Sequence, residues 1–138
     1  MKTIGWRERI DFPEWGVYGI LAKSDTGAAT GAVDTGTIKE LDNDRVRFRV
    51  RTGRGLSEKI TAKVSRRGDV RSAHGHAQPR VFVETTLRVG KTEKKVEIGL
   101  VCRMHMKCRV LLGRAALEGT FLVDSGRTYL LTSRRTKT

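Results

Sequence analysis

Residues 45–51 read RVRFRVR, a strict alternation of basic and apolar side chains. Successive side chains of a β-strand point to opposite faces, so the pattern predicts a strand that buries Val46, Phe48 and Val50. Further strands are predicted at residues 17–23, 60–64, 80–89, 95–101, 107–112 and 128–132, and glycine turns at 52–55, 67–69 and 89–91. The predicted helix is short, residues 114–118. We therefore expect an all-β fold, a closed barrel or a sandwich.

Length and composition favour one domain. The chain has 138 residues, which is enough for a single core, and we expect the domain to cover residues 1–133, with a basic, disordered tail at 134–138. The N-terminal residues lack the apolar segment of a signal peptide, and no stretch is apolar enough to cross a membrane. A cytoplasmic location is expected, with Cys102 and Cys108 as free thiols.

The net charge of +13 favours encounter with acidic partners, such as nucleic acid, an anionic membrane surface or a carboxylate-rich peptide. We expect no membrane partner. The basic stripe at residues 45–51 could follow a phosphate backbone, but its one aromatic residue, Phe48, is predicted to face inward. A basic β-barrel that binds single-stranded nucleic acid is therefore an alternative function, and it is not the favoured one.

The tetrapeptide Asp25-Thr26-Gly27-Ala28 follows a strand-like run, so its carboxylate would lie where a strand ends. Two such carboxylates held together cannot both ionise, so one would act as base and the other as acid on water. Thr26 could lock the loop, and Gly27 and Ala28 allow a tight turn.

The tripeptide alone is weak evidence, because Asp34-Thr35-Gly36 and Asp124-Ser125-Gly126 have the same form. We interpret both as turns. Only 12 residues follow Gly126, too few for a second lobe, so a single-chain enzyme with two motifs is not expected.

A second motif lies about 85 residues after the first: Val110, then Leu111-Leu112-Gly113-Arg114, then a short helix. In retropepsins an apolar-apolar-Gly segment forms the strand that crosses beside the aspartate loop. Together the two motifs favour an aspartic peptidase.

Seven segments in order resemble a bacterial family that carries the name ATP-dependent zinc proteases but looks like cytoplasmic retropepsins, RimK-associated and RimB-like: IGWRE (4–8), AKSDTGA (22–28), VRF (46–48), GH (75–76), TTLR (85–88), LLGR (111–114) and FLVD (121–124). The resemblance implies an acid-protease barrel that is active as a homodimer, with Asp25 catalytic and no cofactor. It also implies a peptide or protein substrate, with trimming of glutamate tails.

The active loop departs from the family pattern Asp-Thr-Gly-Ala-Arg-Thr-Ser-Ala-Leu-His. This chain has Ala29 for the arginine, Gly31 for the serine and Asp34 for the histidine. Substrate class is therefore less firmly implied than reaction class, and an inactive descendant that kept the fold is a further alternative. We expect a flap at residues 51–58, with Gly53, Arg54 and Gly55 at its tip.

Metal and thiol chemistry are disfavoured. The potential zinc ligands His74, His76, Cys102, His105 and Cys108 lack the spacing of recognised zinc sites, so no metal is expected. Cysteine catalysis would need His105 beside a thiol and an oxyanion hole, and the sequence carries no motif for the latter.

Overall fold

The structure of the chain, a computed structural model, describes residues 1–71, 77–102 and 107–134. These residues form ten strands and one short helix, in chain order: β1 (Lys2–Phe12), β2 (Val17–Ser24), β3 (Gly31–Asp34), β4 (Lys39–Leu41), β5 (Arg45–Phe48), β6 (Ile60–Arg71), β7 (Ala77–Val89), β8 (Thr92–Val101), β9 (Val110–Leu112), α1 (Arg114–Leu117) and β10 (Phe121–Thr128). A single 3₁₀ turn, Pro13–Trp15, connects β1 to β2.

Six strands close into a barrel in the order β1-β2-β9-β3-β8-β7, and a pairing of β7 with β1 at Asp11 and Arg88 completes the ring. β10 extends the sheet beyond β1, while β6, β5 and β4 extend it beyond β7. The expected all-β closed barrel with one short helix is therefore confirmed.

The barrel interior is apolar and packed on three aromatic rings. Trp15 lies with its ring centroid 4.8 Å from that of Phe12 and 5.2 Å from that of Phe48. Val46 and Val50 are fully buried beside Phe48, as the alternation at residues 45–51 predicts, although the regular strand ends at Phe48. Burial of such side chains stabilises each by about 1.5–3 kcal/mol relative to exposure.

Several local predictions are wrong. Residues 67–69 do not form a turn, because Gly68 lies inside β6 and pairs with Arg80. Asp34 does not lie in a turn either; it ends β3 and is fully buried. Residues 129–132 are not a strand, since β10 spans Phe121–Thr128 and includes the tripeptide Asp124-Ser125-Gly126. The strand β1 was not predicted at all.

The segment after β10 is held by a buried carboxylate instead of a sheet. Glu8, 1% exposed, accepts backbone hydrogen bonds from Gly5 (2.8 Å), Leu130 (2.9 Å), Leu131 (3.2 Å) and Thr132 (3.1 Å), and one from the Thr132 hydroxyl (2.7 Å). The carbonyl of Arg134, where the predicted tail begins, accepts a hydrogen bond from Arg9. The rest of that tail, 135–138, lies outside the described residues.

Within the described ranges, no helix has the length and hydrophobicity that crossing a membrane would require.

Candidate active site

Asp25 is the first residue after β2, and its backbone is fixed by the strand next to it. β9 pairs in parallel with β2, with Ser24 opposite Leu112, and the Asp25 amide donates to the Leu112 carbonyl at 2.8 Å. β9 also pairs with β3, where Leu111 lies opposite Ala32. The strand of the second motif thus lies between the two strands that flank the Asp25 loop.

The loop itself is held by backbone contacts. Oδ1 of Asp25 accepts a hydrogen bond from the Gly27 amide at 3.0 Å, and the Asp25 carbonyl accepts one from Ala28 at 3.3 Å. The Thr26 carbonyl accepts a hydrogen bond from Nη1 of Arg114 at 2.9 Å. The Thr26 hydroxyl makes no hydrogen bond within the described part of the chain, and the loop contacts found there involve Asp25 and Arg114.

Two glycines let the second motif approach the loop closely. A Cβ on Gly113 would lie 2.7 Å from the Gly31 nitrogen, and a Cβ on Gly31 would lie 2.1 Å from the Leu111 carbonyl oxygen. These distances are too short for any side chain, so both positions require glycine. The contact lets the amides of Arg114 and Ala115 donate to the carbonyls of Ala28 and Ala29.

The exposed part of the loop is its tip. Thr26 and Gly27 are exposed, whereas Asp25 and Ala28 are partly buried. The carboxylate therefore lies at the edge of a hydrogen-bonded loop whose tip is exposed. The tripeptide Asp124-Ser125-Gly126 makes the same side-chain contact, from Gly126 to Asp124 at 2.9 Å, but within the edge strand β10.

Asp34 has a structural role that the sequence did not reveal. Its buried carboxylate accepts a hydrogen bond from Nη1 of Arg109 at 2.8 Å, and Nε of Arg51 lies 3.8 Å from its other oxygen. Arg109 directly precedes β9, so this ion pair fixes the start of the strand that supports the Asp25 loop.

The predicted flap residues form a tight turn. The Thr52 amide donates to the Gly55 carbonyl at 2.9 Å, and Gly53 and Gly55 have left-handed φ angles of 90° and 114°. Gly53 and Arg54 line a cleft of about 470 Å³, and Asp25 is not among the described residues that line it. Another hairpin, β6–β7, contacts the loop directly: Nη2 of Arg66 lies 3.4 Å from Oγ1 of Thr30. Sequence reasoning missed Arg66, which no local pattern marks.

The candidate metal and thiol residues lie only partly within the described ranges. Cys102 is exposed and Cys108 is buried, both as free thiols. No group of three or more histidine, cysteine or acidic side chains that could hold a metal ion occurs among the described residues. His74, His76 and His105 lie outside them.

A family model described as "Retropepsin-like aspartic endopeptidase RimB" matches residues 3–134. The chain belongs to this RimB-like family. The matching model is named for an aspartic endopeptidase and the similar sequences for a ligase, neither of which is the zinc-protease name.

Relatives of the RimB-like chain are named "Probable alpha-L-glutamate ligase". The protein from Shewanella pealeana is 29% identical over 134 residues, which cover 93% of this chain and 29% of the relative. The one from Desulfotalea psychrophila is 30% identical over 129 residues, 89% of this chain and 28% of the relative. The chain thus spans under a third of the length of these curated relatives.

Among solved structures, a protein of unknown function from Legionella pneumophila has the same fold, with a TM-score of 0.79 and 22% identity over 95% of this chain and 98% of that one.

Proposed function

We propose that this RimB-like chain is one subunit of an aspartic peptidase, in which two copies bring their Asp25 carboxylates together. The observation that carries the proposal is the way in which neighbouring strands hold the Asp25 loop. Its loop begins at the end of β2, is bonded to Leu112 of β9, and leaves Thr26 and Gly27 exposed. An ordinary surface turn would not need the interlocked glycines Gly31 and Gly113 beneath it.

We infer a homodimer because only one such loop occurs among the described residues. The tripeptide Asp124-Ser125-Gly126 lies in β10 at the edge of the sheet and is not flanked by a crossing strand, so it does not supply a second loop. The exposed loop tip lets a second copy approach across a two-fold axis, which places the same residues of both copies face to face.

The proposed chemistry is general acid–base hydrolysis by the paired carboxylates. One Asp25 is ionised and takes a proton from water as the oxygen attacks the peptide carbonyl carbon, and the other, protonated, donates its proton to the carbonyl oxygen. The tetrahedral intermediate then loses the amine, which takes a proton from the newly protonated Asp25, while the other Asp25 takes a proton from one hydroxyl of the intermediate as the carboxyl group forms. The products are one carboxylic acid and one amine, and the dyad returns to its single shared proton.

For the substrate we propose peptides rich in glutamate. Two facts support this class: the net charge of +13, and the sequence similarity to proteins named as glutamate ligases. A peptidase related to a glutamate-adding enzyme would act on the product of such an enzyme, removing residues that the ligase attaches.

The test is cleavage of a peptide panel, including oligoglutamate tails, read by mass spectrometry. We expect the wild-type chain to cleave and Asp25→Asn to lose all measurable cleavage while it keeps its fold and dimer in sedimentation. Asp124→Asn is the matched control, because Asp124 makes the same contact to a glycine two residues later. An Asp25→Asn variant that cleaves as fast as wild type would refute the proposal.

Nucleic-acid binding remains the second candidate function, because one basic surface contains a cleft that is lined partly by apolar side chains. Lys39, Arg47, Arg49 and Lys59 surround a cleft of about 360 Å³ over Phe48 and Leu56, with no acidic residue in the described lining. However, Phe48 is only 1% exposed and cannot stack on a base, and Arg51 of the predicted stripe contacts Asp34. Single-stranded DNA binding with a steep salt dependence would support this alternative.

A further inference from the structure

A side-chain cluster on β6, β7 and β8 lies beside the Asp25 loop and has no role in the proposed hydrolysis. Its centre is the guanidinium of Arg66, which is paired with Glu97 and reaches Thr30 of the loop. Residues 25–30 contain no basic side chain of their own. Arg66 therefore brings a positive charge to the end of the loop that leads into β3.

The guanidinium is held in a defined orientation by an aromatic ring. Cζ of Arg66 lies 3.8 Å from the centroid of Phe82, which is 2% exposed. Gly99 makes room for the ring, because a Cβ there would lie 3.1 Å from Cε1 of Phe82. Stacking on a buried ring fixes the plane of the guanidinium, so its donors point in set directions.

Glu97 accepts hydrogen bonds from these donors, and its side chain is chemically identical to that of a glutamate residue in a substrate. Its Oε1 lies 3.1 Å from Nε and 3.0 Å from Nη2 of Arg66, and its Oε2 accepts a hydrogen bond from Ser65 at 2.8 Å. The side chains are 46% and 29% exposed, so the pair is open to solvent. Ion pairs of this kind contribute only about 0–1 kcal/mol and can exchange partners at little cost.

We propose that Arg66, Ser65 and Phe82 form a carboxylate-binding subsite for an acidic side chain of the substrate, and that Glu97 occupies it as an internal competitor when no peptide is bound. The inference rests on the proposed function for its choice of ligand. A glutamate side chain arriving beside the loop displaces Glu97 and takes the same charge-assisted hydrogen bonds. Arg66 then acts as a specificity-determining residue, and Glu97 sets how tightly acidic peptides bind.

The subsite and a purely structural ion pair make opposite predictions for Glu97. If the pair only stabilises the hairpin, removing either partner weakens peptide binding or leaves it unchanged. If Glu97 competes with substrate, Glu97→Gln strengthens the binding of an acidic peptide, while Arg66→Gln weakens it.

The experiment measures binding of fluorescent hexaglutamate and hexaglutamine by anisotropy, in an Asp25→Asn background so that nothing is cleaved. The chain offers a matched control pair whose arginine lies on the same strand as Arg66: Arg67 of β6 contacts Glu40 of β4 at 2.7 Å and Asp44 at 3.1 Å. Hydrogen bonds to Glu40 and to Asp44 raise the pKa of Arg67 above its ordinary value. Arg67→Gln and Glu40→Gln change the net charge by the same amounts away from the subsite.

For hexaglutamate we expect Glu97→Gln to tighten Kd about threefold to tenfold beyond Glu40→Gln, and Arg66→Gln to weaken it by a similar factor beyond Arg67→Gln. The double variant, Arg66→Gln with Glu97→Gln, should lose the tighter hexaglutamate binding of Glu97→Gln, because that tightening depends on Arg66. Hexaglutamine should not respond. Three results would each overturn the subsite. They are equal effects of the two arginine variants, weaker hexaglutamate binding by Glu97→Gln, and no hexaglutamate binding by either the Asp25→Asn background or its Glu97→Gln variant.

Failure of the subsite is distinguishable from failure of the peptidase proposal. Cleavage that depends on Asp25 but does not respond to Arg66 or Glu97 would leave the peptidase standing and remove the subsite. Hexaglutamate binding with the predicted opposite signs, in a chain that cleaves no peptide, would keep the subsite and remove the peptidase.

Discussion

Replacing Glu8 with alanine is expected to destabilise the fold more than any exposed acidic substitution. The side chain is 1% exposed and accepts hydrogen bonds from four backbone amides and one hydroxyl, at Gly5, Leu130, Leu131 and Thr132. These donors join the start of β1 to the segment that follows β10. Alanine would leave all of them without the acceptor around which the segment is arranged.

The magnitude follows from the hydrogen bonds. A hydrogen bond to a charged group contributes about 1.5–3 kcal/mol, but five such values do not add, because the segment can move away and bond to water. Each buried donor left without a partner costs about 1–3 kcal/mol, and because the segment can partly relax we expect a total loss of about 3–5 kcal/mol. For a chain of this size that corresponds to a fall in Tm of roughly 10–17 °C.

Urea denaturation of Glu8→Ala, Glu8→Gln and wild type would measure the loss, with Glu84→Ala as the control because Glu84 is exposed. Glu8→Gln should fall between the other two, since its amide oxygen can still accept some of the bonds while its NH₂ faces donors. Amide hydrogen exchange at residues 130–132 should lose protection in Glu8→Ala. A difference between Glu8→Ala and Glu84→Ala below about 1 kcal/mol would refute the reasoning.

Two further substitutions test how the Asp25 loop is supported. Asp34→Asn removes the charge that pairs with Arg109 and Arg51. We expect the free energy of unfolding, measured by urea denaturation, to fall by about 2–4 kcal/mol, together with reduced activity in the proposed peptide cleavage. Unchanged stability would mean that the ion pair does not hold β9. Gly113→Ala places a Cβ 2.7 Å from the Gly31 nitrogen, and we expect a cost of about 1–3 kcal/mol and lower kcat than in Gly126→Ala, whose nearest neighbour would be Oδ1 of Asp124 at 3.4 Å. Equal stability of the two glycine variants would contradict the close-packing argument.

Much of the local structure could be predicted from short patterns. The alternation at residues 45–51 correctly predicts the burial of Val46, Phe48 and Val50. The short helix, predicted at 114–118, is found at Arg114–Leu117. The expected strand before Asp25 is found at Val17–Ser24. In each case the deciding signal lies within a few neighbouring residues, which is the range over which side-chain alternation and turn chemistry act.

The missed elements depend on distant partners. β1 pairs in parallel with β10, so that Lys2 lies opposite Phe121. No local sequence pattern indicates a strand partner so far along the chain. Gly68 resembles a turn residue, yet it lies in β6 opposite Arg80 of the neighbouring strand. Thr132 looked like the end of a strand, but its amide and hydroxyl bind Glu8.

By itself, the sequence determined the all-β class, the position of Asp25 at the end of a strand and the likeness to an aspartic peptidase, because each follows from side-chain alternation or from short motifs. Tertiary structure alone decided that β9 runs between β2 and β3, that Gly31 and Gly113 interlock beneath the loop, and that Arg66 lies beside Thr30. The physical reason is that these contacts join residues far apart in the chain. Their energies come from barrel closure and close packing, which no single segment encodes.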